Sequence, residues 1–190
     1  MKYWDSIYLW DNSADAYVDL EFAAADEPGV SLPLLGQPAD KVYMGLDRTF
    51  NSVYFQLEAI GSGLGTFTYE YWDGSIWRNM PLKRTYSFNE TGVGEFPIPA
   101  NWTTRTLSAS PVAESTNNGL ASEDVAYYWL RISQTSTPTS VSTLERSFPF
   151  PSYGYVTPTE IAEFLQLRQD FSTATSPSKA SVETLSLIHI

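Results

Sequence analysis

The sequence contains no cysteine. Disulfides, thiolate nucleophiles and cysteine-ligated zinc are therefore excluded. Histidine is nearly absent too: the single one is His189, next to the last residue. A Ser-His-Asp triad or a histidine-held metal in the main body is excluded with it, so acid or base work would fall to carboxylates, tyrosine or lysine. Positive charge is scarce, with 11 Lys and Arg against 22 Asp and Glu and a net charge of −11. No Lys/Arg cluster is available to displace counterions from phosphates, so nucleic acid is not an expected partner. No apolar run approaches the roughly 20 residues needed to span a bilayer, and no membrane insertion is expected. The opening Met-Lys-Tyr-Trp-Asp alternates like a strand and lacks the apolar stretch of a secretory signal. Asn89-Glu90-Thr91 and Asn101-Trp102-Thr103 match the glycosylation acceptor and are accordingly read as chance matches.

Aromatic residues are abundant, at 15% of the chain against 17% charged. With 12 Pro and 11 Gly to make turns, this is no disordered composition but that of a mainly β domain with aromatic-rich strands. The length of 190 residues suits one domain plus a fragment of another and can bury a sizeable core.

The strongest local signal runs from Phe67 to Trp77. Polar and aromatic residues alternate, Asp73-Gly74 follows, and a second aromatic run begins at once. Asp-Gly between such runs predicts a hairpin with a type I′ turn, in which both central residues need positive φ. Phe67, Tyr69 and Tyr71 are expected to share a face with Ile76, and Thr66, Thr68, Glu70 and Trp72 to lie on the other face near Trp77. Tyr3 to Trp10 reads as a strand with Trp4, Tyr8 and Trp10 on one side and Ile7 and Leu9 on the other. A turn over 11–15 leads to a strand over 16–23, with Val18, Leu20 and Phe22 facing in and Tyr17, Asp19 and Glu21 facing out. Residues 26–40 read as loop. Strands are predicted over 41–45 and 51–57, where Val53, Phe55 and Leu57 form one apolar face. Gly61 to Gly65 reads as a turn. Short strands are predicted over 85–88 and 94–98, with Pro97 and Pro99 suited to a strand end or edge. Ser108 to Asp124 is long and polar and predicts a mobile loop. Val125 to Ser133 is a strong strand, apolar or aromatic on both faces apart from Arg131. Residues 135–143 are expected to be irregular.

The character changes near Pro149. Residues 149–157 read as a linker. Thr157-Pro158-Thr159-Glu160 is a capping box with Pro at the first helical position, and Ile161, Phe164 and Leu165 follow at helical spacing. A helix is predicted from Pro158 to about Gln169, and a second start at Ser176-Pro177, so that 158–184 is the truncated start of a helical domain. The last six residues, Leu-Ser-Leu-Ile-His-Ile, look like the translation of a sequencing adaptor. Native sequence is then expected to stop near Thr184, as in a metagenomic fragment, with 185–190 kept out of fold reasoning.

Several segments carry a resemblance. They are Lys41-Val42-Tyr43-Met44-Gly45, Asn51-Ser52-Val53-Tyr54-Phe55, Thr68 to Trp77, Ile98-Pro99-Ala100-Asn101-Trp102 and Tyr128-Trp129-Leu130-Arg131-Ile132. In this order they resemble a β-sandwich module of virion proteins from tailed phages and related archaeal viruses. The stretch from Tyr155 to Leu165 is similar to the opening of helical domains in head–tail connector and other tail-associated proteins. The resemblance implies an antiparallel, jelly-roll-like β-sandwich over residues 1–148 and a structural, non-enzymatic role as a tail, connector or capsid decoration protein. It implies other virion proteins as partners, a homo-oligomer in the particle, and assembly in the host cytoplasm. It brings no catalytic residue, cofactor or metal.

The residues themselves offer sites to weigh against plain packing. Trp72, Trp77 and Trp102 could stack on sugar rings in a carbohydrate-binding or host-attachment module. The competing reading is core filling or cross-strand pairing, since six Trp in a β domain need burial. Asp11, Asp15 and Asp19 with Asn12 offer oxygen ligands, but the spacing is not that of an EF-hand and a solvated turn is the expectation. Glu58, Glu70 and Asp73 could be argued as a glycosidase pair, which needs two carboxyls about 5–9 Å apart across a cleft. Glu70 is instead expected opposite Arg78 or Lys83. Arg131 is expected to pair with an acid or to lay its stem along the sheet.

Overall fold

The computed structural model describes residues 4–21, 32–109, 114, 117–120 and 125–151. The predicted helices, the adaptor-like end, Phe22 and most of the 108–124 loop lie outside the described residues. Among the described residues the fold is mainly β. It comprises β1 (Ser6–Asp11), β2 (Ala16–Asp19), β3 (Leu32–Pro33), β4 (Lys41–Leu46), β5 (Phe50–Ala59), β6 (Phe67–Trp72), β7 (Trp77–Asn79), β8 (Gly92–Glu95), β9 (Thr104–Arg105), β10 (Tyr127–Gln134) and β11 (Thr143–Pro151). The larger sheet runs β2-β1-β4-β10-β6-β7, with β9 on β10, and the smaller runs β3-β11-β5-β8. Every strand pairing is antiparallel.

Alternation sorts the side chains into two layers. Ile7 and Leu9 of β1, Val42 and Met44 of β4, Phe67, Tyr69 and Tyr71 of β6, and Leu130 and Ile132 of β10 point to one face of the larger sheet. There they join Val53, Phe55 and Leu57 of β5 and Leu144 of β11 in a single buried cluster. Phe55 stacks on Tyr86 at 5.0 Å, and Phe88 links Phe55 to Phe67. The opposite face of the larger sheet carries a second, separate cluster of Tyr8, Trp10, Tyr17, Tyr43 and Trp129, closed by Leu107.

Several expectations are corrected. The β6–β7 hairpin forms, but Asp73 N–H donates to Ile76 O at 3.2 Å, so Gly74-Ser75 makes the tip. Only Gly74 takes positive φ, at +99°, so the turn is not type I′, which needs positive φ at both central residues. Ile76 is exposed and does not join the core face. Trp4 lies in the main core against Phe50, because β1 begins at Ser6 and its alternation does not reach back that far. Tyr17 is buried in the second cluster rather than facing out. Residues 85–88 form no strand: Phe88 has φ of +54°, which strand geometry does not accept. The strand expected over 94–98 is shifted to β8.

β11 is the element the sequence did not announce. It runs through Pro149 and Pro151, three residues into the expected linker, in register with β5. The prolines fit because β3 pairs with Thr143 and Leu144 alone, so Pro149 and Pro151 lie beyond that ladder, with β5 as their strand partner.

Gly45 of β4 sits directly across from Trp129 of β10. A Cβ at residue 45 would lie 2.6–2.9 Å from the indole ring. That ring cannot step aside, because its Nε1 donates to Arg105 O at 2.7 Å and it is 1% exposed. Gly45→Ala is expected to cost about 1–3 kcal/mol through overpacking, read by urea unfolding. Gly36→Ala, where an added Cβ meets only ordinary contacts of 3.4 Å and beyond, should stay near wild type.

Candidate functional site: the strapped aromatic face

The outer face of the larger sheet is built from strand register. One row places Ser6, Gly45 and Trp129 on adjacent strands, with Trp72 and Trp77 paired at its far end. The next row is Tyr8, Tyr43, Arg131, Glu70 and Asn79. A third runs Tyr17, Trp10, Lys41, Ser133 and Thr68. Rings meet edge to face through the rows, with Tyr43 at 5.8 Å from Trp77 and 6.4 Å from Trp129, and Trp10 at 5.0 Å from Tyr17.

Charge is threaded between the rings. Arg131 donates to Glu70 Oε2 at 2.8 Å through both Nε and Nη2, and its guanidinium lies 4.4 Å over the Trp77 ring. Arg105 stacks on Trp72 at 4.1 Å and donates to the carbonyls of Thr106 and Ala109. These contacts place cations over ring faces, where the quadrupole attracts them. The Arg131–Glu70 pair is mostly withdrawn from solvent and is not screened as a surface pair would be.

Described residues of the 105–120 segment close this face. Leu107 is buried in the ring cluster and Leu120 packs against it. Asn118 O accepts from Tyr17 N–H at 2.7 Å, on the free side of the edge strand β2. Gly119 at φ +84° makes this approach, and a Cβ there would fall 1.9 Å from Tyr17 O. Glu114 reaches the sheet itself: Lys41 Nζ donates to both carboxylate oxygens, at 2.7 and 2.8 Å, and the Tyr43 hydroxyl donates to Oε1. Burial holds the Tyr43 phenol well above its usual pKa; Arg131 pulls it down and the Glu114 carboxylate adds to the rise.

Of the tryptophans singled out from sequence, Trp72 and Trp77 come together as a cross-strand pair at 5.8 Å. Trp102 does not join them as a platform. It is buried in the main core against Phe50, Tyr71 and Phe96. Trp72 is buried as well, so Trp77, half-buried, is the member of the three that remains open to solvent. Asp11 is used by its own turn, accepting from Ser13 N–H, Ser13 Oγ and Ala14 N–H. Glu58 is exposed on the smaller sheet, Glu70 is taken by Arg131 rather than Arg78 or Lys83, and Asp73 pairs with Arg78 while capping its turn. The backbone N–H of Ile76, then Arg78 and the N–H of Ser75, hold the Asp73 carboxyl down at about 2. Among the described residues no group of three or more His, Asp or Glu side chains could hold a metal.

Lys41, Tyr43, Arg105, Glu114 and Trp129 were not singled out from sequence. The available signal was the double-sided apolarity of 41–46 and 125–133, which requires a cover on each face of those strands.

The buried phenols set an alkaline limit. Tyr43, Tyr69 and Tyr86 are all raised above the ordinary value of 10, with burial the first cause in each. In the unfolded chain these phenols ionise near 10, while in the fold they stay protonated beyond it. Their contribution is therefore whole below pH 10 and is lost as pH rises past it. Tyrosinate absorbance is expected to lag and then rise together with loss of near-ultraviolet dichroism; smooth ionisation with the dichroism intact would contradict the burial of these rings. Comparison of the sequence with protein-family models and with curated proteins finds no match.

Proposed function

We propose that this chain is a non-enzymatic structural protein of the virion of a tailed phage or related virus, part of the tail, the head–tail connector or the capsid decoration. Its two sheets form a jelly-roll-like sandwich that acts by packing against other virion proteins and further copies of itself, with residues 158–184 as a helical docking element. The observation that supports this reading best is where the resemblance segments meet. The segments at 41–45, 68–77 and 128–132 form the adjacent strands β4, β10, β6 and β7, and 51–55 lies in β5. Trp102 of the fifth segment packs on Phe50 and Tyr71, and Asn101 Oδ1 accepts from the Tyr71 hydroxyl at 3.0 Å. The segments that carry the likeness thus make up one connected unit of the fold rather than scattered matches. Exposed Ile76 and Ile98 on connecting loops suit packing against neighbours.

The test is to recover the DNA flanking the reading frame and to sediment the purified chain. Genes for portal, terminase or tail proteins alongside, with a chain that assembles into closed oligomers, are the expected outcome. A strictly monomeric chain among unrelated genes would overturn the proposal.

A second reading, a carbohydrate-binding or host-attachment module, is favoured by one observation: Trp77 stands half-exposed beside Arg131 at the margin of the ringed face. Glycan-array binding abolished by Trp77→Ala, with the thermal unfolding curve unchanged, is what this reading expects. Unaltered binding in that variant would remove it.

A further inference from the structure

We propose that Lys41, Tyr43, Arg131 and Trp77 form a site for a carboxylate-bearing sugar, a uronate, and that Glu114 occupies its carboxylate position in the unliganded protein. The inference rests on the attachment reading and names the ligand class for it. Four donors converge on one part of the sheet. Lys41 and Tyr43 are two residues apart on β4, on the same face. Arg131 pairs with Tyr43 across the β4–β10 ladder, and the Trp77 ring lies 5.8 Å from Tyr43 and 4.4 Å under the guanidinium. Glu70 is the acid facing them from β6, and it is engaged by Arg131.

The Glu114 contacts show what the site accepts. Lys41 Nζ reaches both carboxylate oxygens, and the buried Tyr43 hydroxyl donates to one of them. This is charge-assisted recognition of a planar carboxylate. The side chains of Lys41 and Glu114 remain 26% and 14% exposed, so solvent reaches the pair although Tyr43 is buried. Trp77 Nε1 is a buried donor that has no hydrogen-bond partner. A buried donor left unmade is costly, and a sugar hydroxyl next to the carboxylate would satisfy it. A uronate combines the two required groups, a carboxylate for Lys41 and Tyr43 and ring hydroxyls for Trp77. A glutamate side chain supplies only the first.

Glu114 then acts as a tethered competitor. A carboxylate on the same chain meets its site at an effective concentration of the order of millimolar; for a site that holds a lone carboxylate with a dissociation constant of about 0.1 mM, removing its charge should tighten binding of a free ligand about tenfold. The experiment titrates the full chain with an oligogalacturonate, a neutral maltooligosaccharide and polyglutamate, read by tryptophan fluorescence, for wild type, Glu114→Gln and Lys41→Met. The side-chain amide in Glu114→Gln keeps an acceptor for Tyr43, and the thermal unfolding curve of each variant checks the fold. Weak oligogalacturonate binding by wild type, about tenfold tighter in Glu114→Gln and lost in Lys41→Met, is the expected result. Equal binding by wild type and Glu114→Gln overturns the inference, as does polyglutamate binding as tightly as the uronate. Binding of the neutral oligomer alone overturns it while leaving the attachment reading in place. No binding of any saccharide overturns both.

Discussion

The antiparallel pairing of β4 with β10 is the constraint from which the rest follows. These two strands occupy the middle of the larger sheet, and both carry large apolar side chains on both faces. Val42, Met44, Leu130 and Ile132 turn toward the smaller sheet, while Tyr43 and Trp129 turn away from it. A strand that is apolar on both faces cannot leave either face to water, so the fold must supply two covers. The smaller sheet is one. The segment that brings Leu107, Glu114 and Leu120 onto the rings is the other.

The two covers differ in kind. The main core is a continuous aliphatic and aromatic cluster that takes side chains from both sheets. The outer face is a layer of rings with ions set among them, and Leu107, Glu114 and Leu120 are among the described residues that lie against it.

How far the sequence could be read depended on the period of each segment. The strands over 6–11, 41–46, 50–59, 67–72 and 127–134 were legible because alternation or β-rich apolar runs persist through them. The face of Val53, Phe55 and Leu57 and that of Phe67, Tyr69 and Tyr71 were assigned to the core they occupy. β11 was hidden because Pro149 and Pro151 read as linker, whereas in the fold they lie beyond the short β3 ladder, where prolines are tolerated. Trp4 was assigned to the wrong side, and Tyr17 to the right side but to solvent rather than to a buried layer. The first lies outside the strand whose alternation was used, and the second belongs to a layer that a one-core picture does not contain. Of the candidate site, Trp77 and Arg131 were noticed, but neither was tied to Lys41, Tyr43 or Glu114.

What the sequence by itself determined was local and chemical. It excluded cysteine and histidine chemistry from the body of the protein, placed a hairpin at 67–77, and demanded a β fold with its aromatic residues buried. Tertiary structure alone decided which face each aromatic joined, that Glu114 rests on Lys41 at 73 residues' separation, and that Gly45 makes room for Trp129. The physical reason is that alternation specifies which side chains share a face, whereas strand order and register specify what each face meets. Those are set by long-range pairings whose partners no local pattern names.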